Sequence, residues 1–453
     1  MIPAPVEARA RPSNKLGHSF SHRFLILLLI GLVWLVPGFV DRRFVYAMLA
    51  WDAVLFLGWI GDLLTLPKPD QLIVRRSWSA PLALQVESQA EITVINHSRS
   101  TVHVRVLDYV PSFLSDEPGS VSLSVAAQHE ASVHYAVKPR SRGRLSLARA
   151  HLRYQGALRL AERWAVADLS QEVMVYPDLH EARRHALYLM RSRQVELEKR
   201  FSRIRGAGHA FESLREYREG DDFGDICWTA TARRGKLVTR LYELEKSQTV
   251  WIVLDTGRLM RTRVAKLSKL DHAVNAALAL GQVALMTGDR VGLLAYTRSI
   301  QHRIPPERGV TQLRQLLDTL ATVREDGAEA DHLFAVSRLM RDQKRRSFVV
   351  WITELAETAM TPEVIEAASA LLSRHLVLFV VIGQPDLQHA AAQRPSNVSQ
   401  MYEVSAAQEV IHRRELLLAR LRERGALAVE APSGELAPLL VNSYLQVKQK
   451  SQL

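Results

Sequence analysis

Two apolar runs near the amino terminus constrain this chain more than any other feature. The first, FLILLLIGLVWLVPGFV at positions 24–40, holds no charged residue. The second, FVYAMLAWDAVLFLGWIGDLLTL at 44–66, holds only Asp52 and Asp62. A helix that crosses a bilayer needs about 20 apolar residues, because lipid offers no partner to backbone polar groups. Both runs qualify, and only Asp41-Arg42-Arg43 separates them, so a two-span helical hairpin is expected. A cleaved signal peptide is the competing reading of the first run, which Arg9, Arg11, Lys15 and Arg23 precede. Its length, the lack of a small-x-small cleavage site and the second span directly after it argue against that. Trp34, Trp51 and Trp59 are expected at the headgroups, and the basic residues flanking the hairpin favour both ends in the cytoplasm. Asp52 is read as facing the partner helix, with a proton relay as the alternative.

The remainder must be soluble and folded. A chain of 453 residues is long enough for about three domains. Hydrophobic residues at 47% and charged residues at 23% exclude a wholly disordered or collagen-like chain. The lone Cys227 excludes an internal disulfide framework and an all-cysteine metal site. Lys+Arg 59 against Asp+Glu 47 gives +12. That excess suits anionic lipid, nucleic acid or an acidic partner and does not choose among them.

The pattern divides the chain into a basic tail (1–23), the hairpin (24–66), a β-domain (72–176), a linker (178–247) and an α/β domain (248–450). Between 72 and 176, segments such as TVHVRVLDYVP and SVSLSVA alternate apolar and polar residues between Gly/Pro-rich breaks. About seven such strands predict a small antiparallel sandwich, immunoglobulin-like in outline. Its histidines show no metal-ligand spacing. Residues 178–205 lack Pro and Gly and predict a long charged surface helix joining two domains. A solvated face, able to touch anionic lipid, is its favoured reading and nucleic-acid binding the alternative.

The most specific stretch is FESLREYREGDDFGDICWTATARR, residues 211–234. It resembles the signature of the family catalogued as domain of unknown function 58, through Arg215, Glu216, Tyr217, Gly220, Asp221, Ile226, Trp228 and Arg233. The order of spans, β-domain, motif and α/β domain fits the same family. Gly224 and Cys227 stand where that family usually has Arg and Asp. Physically, Arg215, Arg218, Arg233 and Arg234 could pair with Glu212, Glu216, Asp221, Asp222 and Asp225, while Trp228 packs on Tyr217. The segment is then either a partner-binding surface or a buried ion-pair network. Cys227, between Ile226 and Trp228, reads as a packed thiol, an enzyme that uses it being the alternative.

Beyond 248, apolar strand runs at 249–255, 291–297, 347–353, 375–383 and 426–431 alternate with helical stretches. That predicts a mainly parallel sheet covered on both faces. Ser268 with Asp271 opens a helix that Gly288 closes, and Thr361-Pro362 opens another. This part is similar to the Rossmann-type von Willebrand factor A domain. In that family the first strand ends in Asp-x-Ser-x-Ser, and a later Thr and Asp complete a Mg²⁺ site. Here Asp255 is kept, Gly257 and Leu259 replace the serines, Thr311 is the candidate threonine and Glu354 takes the Asp position. A degenerate site is implied, with no metal and no cofactor expected. There is no phosphate-binding loop and no Gly-x-Ser-x-Gly.

The resemblance implies a non-enzymatic adaptor in a bacterial inner membrane, two-pass, with cytoplasmic soluble domains. It would work with a MoxR-type AAA+ ATPase in protein maturation or complex assembly, with other membrane proteins as further candidate partners and no nucleic acid. A Mg²⁺-dependent von Willebrand A-type receptor is the alternative.

Overall fold

The computed structural model describes residues 2–13, 17–114, 119–178, 210–218, 223–243, 248–354 and 362–449. They fall into two units, Met1–Tyr176 and Pro177–Leu453, each taken by itself. The charged helix expected at 178–205 lies outside the described residues except for Asp178.

In the first unit, helix His22–Leu32 and the short helix Leu35–Gly38 lie against helix Arg42–Thr65, which returns antiparallel. Ser21 and Asp41 cap the two long helices, their side chains accepting from the amides of Phe24 (3.1 Å) and Arg43 (2.9 Å). Among the described residues only Arg42–Thr65 is both long and apolar enough to cross a membrane. The first run divides at Val33 and Trp34 and continues through Pro37, which has no amide to donate. Most of the large apolar side chains on both helices point outward and are exposed, among them Leu29, Val36, Phe39 and Leu57. Gly31 lets the helices touch: a Cβ there would come within 2.7 Å of the Trp51 ring and 3.1 Å of Asp52 Oδ1. Asp52 therefore faces the partner helix. Trp51 donates from Nε1 to the Leu27 carbonyl (3.0 Å) on the facing helix. Trp59 joins an aromatic cluster with Phe20, Phe24 and Phe56 near the end of its helix.

The hairpin is fastened to the β-domain through one carboxylate. Asp62, in the last turn of Arg42–Thr65, is 1% exposed. Its Oδ2 accepts from the amides of Leu160 (2.8 Å) and Ala161 (2.9 Å), and its Oδ1 from that of Leu158 (3.3 Å). A Cβ at Gly156 would sit 2.6 Å from Oδ1, so only glycine lets the loop close over the acid. Just beyond, Tyr154 Oη (2.9 Å) and Arg163 Nη1 (3.2 Å) donate to the Pro67 carbonyl. Arg163 Nη2 reaches the Leu63 carbonyl (3.4 Å), placing positive charge at the negative end of the helix dipole.

The β-domain is antiparallel. One sheet orders Val6–Arg9, Leu72–Trp78, Ser88–Asn96 and Glu130–Val137. The other orders Arg11–Pro12, Ala161–Ala167, Ala150–Gln155, Val102–Asp108 and Gly119–Val125, with His18–Phe20 also pairing Ala161–Ala167. Residues read from sequence as a basic tail thus add one strand to the first sheet and two short strands to the second. Val74, Ile92, Val94, Val104 and Leu152 fill the core between them. A buried clamp joins the two sheets. Arg76 Nε donates to Asp108 Oδ2 (2.8 Å), Nη2 contacts Oδ1, and Tyr135 Oη donates to Oδ2.

In the second unit the main sheet holds β1 (Thr249–Asp255), β2 (Arg290–Tyr296), β3 (Ile300–Glu307), β4 (Phe348–Thr353), β5 (Leu376–Gly383) and β6 (Leu427–Pro432). Their order is β3-β2-β1-β4-β5-β6, parallel except for β3. The sequence showed all of these strands but β3, which mixes charges with Pro305 and Pro306. Proline is tolerated there because β3 is an edge strand. Along β1, Val250, Ile252 and Leu254 enter the core beneath helices Lys269–Met286, Gly309–Thr322 and Leu436–Gln449. Trp251 and Val253 enter the opposite core with His332–Asp342, Pro362–Leu372 and Val398–Glu423. The expected capping box forms, Ser268 Oγ accepting from Asp271 N (3.1 Å) and Asp271 Oδ2 from Ser268 N (3.2 Å), and Gly288 follows with φ 84°. Pro362–Leu372 is helical as expected, while Thr361 lies outside the described residues.

Two outcomes test this packing. Asp62→Ala orphans three loop amides and should lower stability by about 1–3 kcal/mol, read by thermal unfolding of the full chain in detergent, and should speed proteolysis within residues 156–160. His375 is the second probe. Burial, with Arg374 beside it, pushes its pKa down to about 4 from the usual 6.5. The unfolded chain then takes up a proton between pH 6.5 and 4 that the folded chain refuses, so stability falls as pH drops through that window. His375→Gln should show a shallower Tm–pH slope there than the unsubstituted chain.

Candidate functional site

In an open parallel sheet of this strand order, ligands bind at the carboxyl ends of the strands, where the order reverses. Here that point lies between β1 and β4, and two buried acids flank it. Asp255 ends β1 and is 3% exposed, while Glu354 follows β4 and is 2% exposed. The structure brings both together as the sequence suggested, but it spends them on the protein itself. Asp255 Oδ1 accepts from Gly257 N (2.7 Å) and Oδ2 from Thr353 Oγ1 (2.6 Å). Glu354 Oε2 binds Lys269 Nζ, and Oε1 accepts from Arg414 Nη2 (2.8 Å). Arg414 Nη1 continues to Glu430 Oε1 on β6 (2.6 Å). A buried chain of alternating charge, Lys269–Glu354–Arg414–Glu430, therefore crosses the strand ends. Burial pushes Asp255 up, opposed by His332 and by its two hydrogen bonds, and pushes Lys269 down against the pull of Glu354.

Thr311 does not join them. It is exposed in the first turn of Gly309–Thr322, beside Gln312, whose Nε2 donates to the Val291 carbonyl (2.6 Å) at the start of β2. Since β3 runs antiparallel, the helix after it starts at the amino ends of the parallel strands, the opposite end of the sheet from Asp255. Spacing along the chain could not show that reversal. Gly257 has no room for a hydroxyl either: a Cβ would lie 3.0 Å from Asp255 Oδ1 and 3.1 Å from the Ala330 amide. The loop that covers it carries Asp326, which accepts from Thr297 Oγ1 (3.2 Å). These donors do not fit a divalent cation. Each carboxylate oxygen already has a protein partner, and beside Glu354 the Lys269 ammonium and Arg414 guanidinium hold the positive charge a metal would bring. Among the described residues no three His, Cys, Asp or Glu converge as ligands.

Sequence reasoning missed Lys269, Arg414, Tyr296 and His332. Trp351 Nε1 donates to Tyr296 Oη (2.7 Å), which lies 2.9 Å from His332 Nδ1. Burial pushes His332 down despite Asp255 and Asp331. For Arg414 a signal was present: it sits at i of a stripe with Leu417, Leu418 and Leu421, all buried. A basic residue on a core stripe implies a buried acid facing it.

The signature segment is a second locus. Strands Ala210–Glu216 and Val238–Glu243 pair antiparallel, and helix Trp228–Arg234 lies between them in sequence. Arg215 is half-buried, its Nη1 donating to the Glu216 carbonyl (3.2 Å), and Glu216 meets Lys236 at 3.2 Å on the surface. Tyr217 donates its amide to the Leu237 carbonyl (2.9 Å) and sets its ring against Phe223, centroids 5.8 Å apart. The expected Tyr217–Trp228 packing is thus replaced. Trp228 is 65% exposed and Phe223 73%. Arg233 and Arg234 are exposed in the last helical turn before Gly235, whose φ of 65° ends the helix. Cys227 is buried, with its Sγ 3.4 Å from Thr229 Oγ1. Gly220 and Asp221 lie outside the described residues.

Residues 213–390 match the family model described as "Protein of unknown function DUF58". That is the family the motif resembled. The matched span holds the signature segment, Asp255 and Glu354, while Arg414 and Glu430 fall beyond it. An uncharacterized protein of Mycobacterium tuberculosis is 28% identical over 184 residues, covering 40% of this chain and 57% of the relative. The uncharacterized protein YeaD of Bacillus subtilis is 23% identical over 203 residues, covering 43% of this chain and 46% of the relative. The matches thus span about half the length of these relatives. Among solved structures, the conserved hypothetical protein BatB of Bacteroides thetaiotaomicron is 14% identical with a TM-score of 0.31, covering 45% of this chain and all of that one.

Glu354→Ala leaves Lys269 buried without its acid and should cost about 3–5 kcal/mol, measured by denaturant unfolding. With the unsubstituted chain, exchanging EDTA for millimolar Mg²⁺ should leave Tm unmoved. A rise in Tm would show a cation site that this arrangement does not offer.

Proposed function

We propose that this chain is a membrane-anchored, non-enzymatic adaptor whose docking surface is the exposed aromatic and basic face of the DUF58 signature segment. The supporting observation is the exposure of Trp228 and Phe223 beside Arg233 and Arg234. Tryptophan and arginine dominate the energetics of protein interfaces, and a tryptophan left in water gains most from being covered. The partner on this reading is a MoxR-type AAA+ ATPase, as the family resemblance implies. The second unit is read as a von Willebrand A-like domain, consistent with its strand order and antiparallel β3. Its strand ends are closed by the protein's own cations, so binding there needs no metal. Both apolar helices are read as spanning a bacterial inner membrane, with the soluble units cytoplasmic. The outward-facing apolar side chains of the hairpin support that placement.

Affinity purification of the tagged full chain from mild detergent, with and without ATP, tests the reading. Mass spectrometry should find an AAA+ ATPase enriched. Trp228→Ala, exposed and so harmless to folding, should cut its recovery about tenfold or more. Undiminished recovery would move the docking surface elsewhere, and no ATPase in either state would end the adaptor reading.

A further inference from the structure

A cluster of cations at the foot of the hairpin is absorbed by none of the roles above. Arg23 is exposed in the first turn of His22–Leu32. Arg159 lies in the loop that Asp62 holds, and His103 lies on the strand Val102–Asp108. The backbone of Arg159 is pinned in the left-handed region, φ 55°, an uncommon state for a long side chain. Ser21 fixes it there, its Oγ donating to the Arg159 carbonyl (2.5 Å) and its amide to the Leu160 carbonyl (2.9 Å). The guanidinium is thereby aimed at His103, with Nη2 3.2 Å from Nε2. Burial first, then Arg159 and Arg23, push His103 down, so it is a neutral ring at physiological pH.

The nearby acids are already spent. Asp62 accepts three amides, and Glu162 binds Arg153 and Gln155 Nε2. Among the described residues, neither Arg23 nor Arg159 has a carboxylate partner. The Arg159 guanidinium, held against a neutral ring, is therefore left with its charge unmatched by any acid and open to an anion. Next to the cations the surface turns apolar. Leu158, Phe20 and Leu25 are exposed, and Phe20 stacks on Phe24 and meets Trp59 at 4.6 Å between centroids. A guanidinium held against an imidazole, with the exposed Arg23 two residues along the chain from the Ser21 that fixes the Arg159 backbone, suits a phosphate, and an apolar rim at the end of a spanning helix suits acyl chains.

We propose that Arg23, Arg159 and His103 form a headgroup site for an acidic phospholipid at the foot of the hairpin. The two arginines take the phosphate oxygens, the imidazole N–H adds a donor, and the acyl chains lie along Leu25, Leu158 and Phe20. This rests on the reading that Arg42–Thr65 spans the membrane.

Native mass spectrometry of the full chain in detergent, titrated with phosphatidylglycerol or phosphatidylcholine, tests the site. Phosphatidylglycerol should bind roughly tenfold tighter or more, the order expected for two basic side chains at an anionic surface. The double variant Arg23→Gln/Arg159→Asn should lose that preference, asparagine being chosen because it tolerates positive φ. Arg105→Gln, two residues along the same strand face, should keep it. Equal binding of the two lipids, or an equal loss in Arg105→Gln, would overturn the site. Displacement of the lipid by inorganic phosphate at matched concentration would make it a phosphate site and overturn the lipid assignment. Alkaline carbonate extraction separates the two readings. A chain released from membranes fails as a spanning protein, whereas a retained chain without lipid preference fails only as a headgroup binder.

Discussion

The carboxylate of Asp62 is the constraint on which the first unit depends. An acid in an otherwise apolar helix must either reach water or find donors, and here it is almost fully buried. Its donors come from a loop more than ninety positions later in the chain, so satisfying the charge fixes the helix against the sandwich. Arg163 takes the Leu63 carbonyl in the last turn of the same helix, and Tyr154 takes that of Pro67 just past its end. A hairpin that could otherwise swivel on a linker is held through directional bonds. The same bonds set the position of Arg159 and so of the cationic cluster beside the apolar surface.

Buried charge organises the other cores as well. Arg76 and Asp108 cross the sandwich, and Lys269, Glu354 and Arg414 cross the strand ends of the parallel sheet. A buried pair adds little net stability over an apolar one, but removing one member is costly. Such groups fix one arrangement rather than strengthen many. At the strand ends this has a functional side. The crevice where this architecture ordinarily receives a ligand is filled by the chain's own ions, and the exposed aromatic surface lies instead on the signature segment.

What was legible followed from periodicity and local chemistry. Runs such as TVWIVLD and HLVLFVVIG announced parallel strands, alternation announced the sandwich, and Ser268 with Asp271 announced its helix. Local rules failed wherever a distant partner decided the outcome. β3 looked polar because one side of it is an edge. Thr311 looked close to Asp255 because the reversal of β3 is invisible in spacing. Trp228 looked like a core residue because aromatic character says nothing about which face is covered.

The sequence by itself determined the apolar helices, the antiparallel and parallel sheet types of the two units and the family motif, since each depends on residues within a few positions of one another. Only the tertiary structure decided that Asp62 fastens its helix to the β-domain rather than standing unpartnered in it. It alone set Lys269 and Arg414 against Glu354, and left Trp228 and Phe223 in solvent. Those outcomes depend on which charges and rings meet across more than fifty residues of chain, and that is settled by packing and desolvation in the folded state.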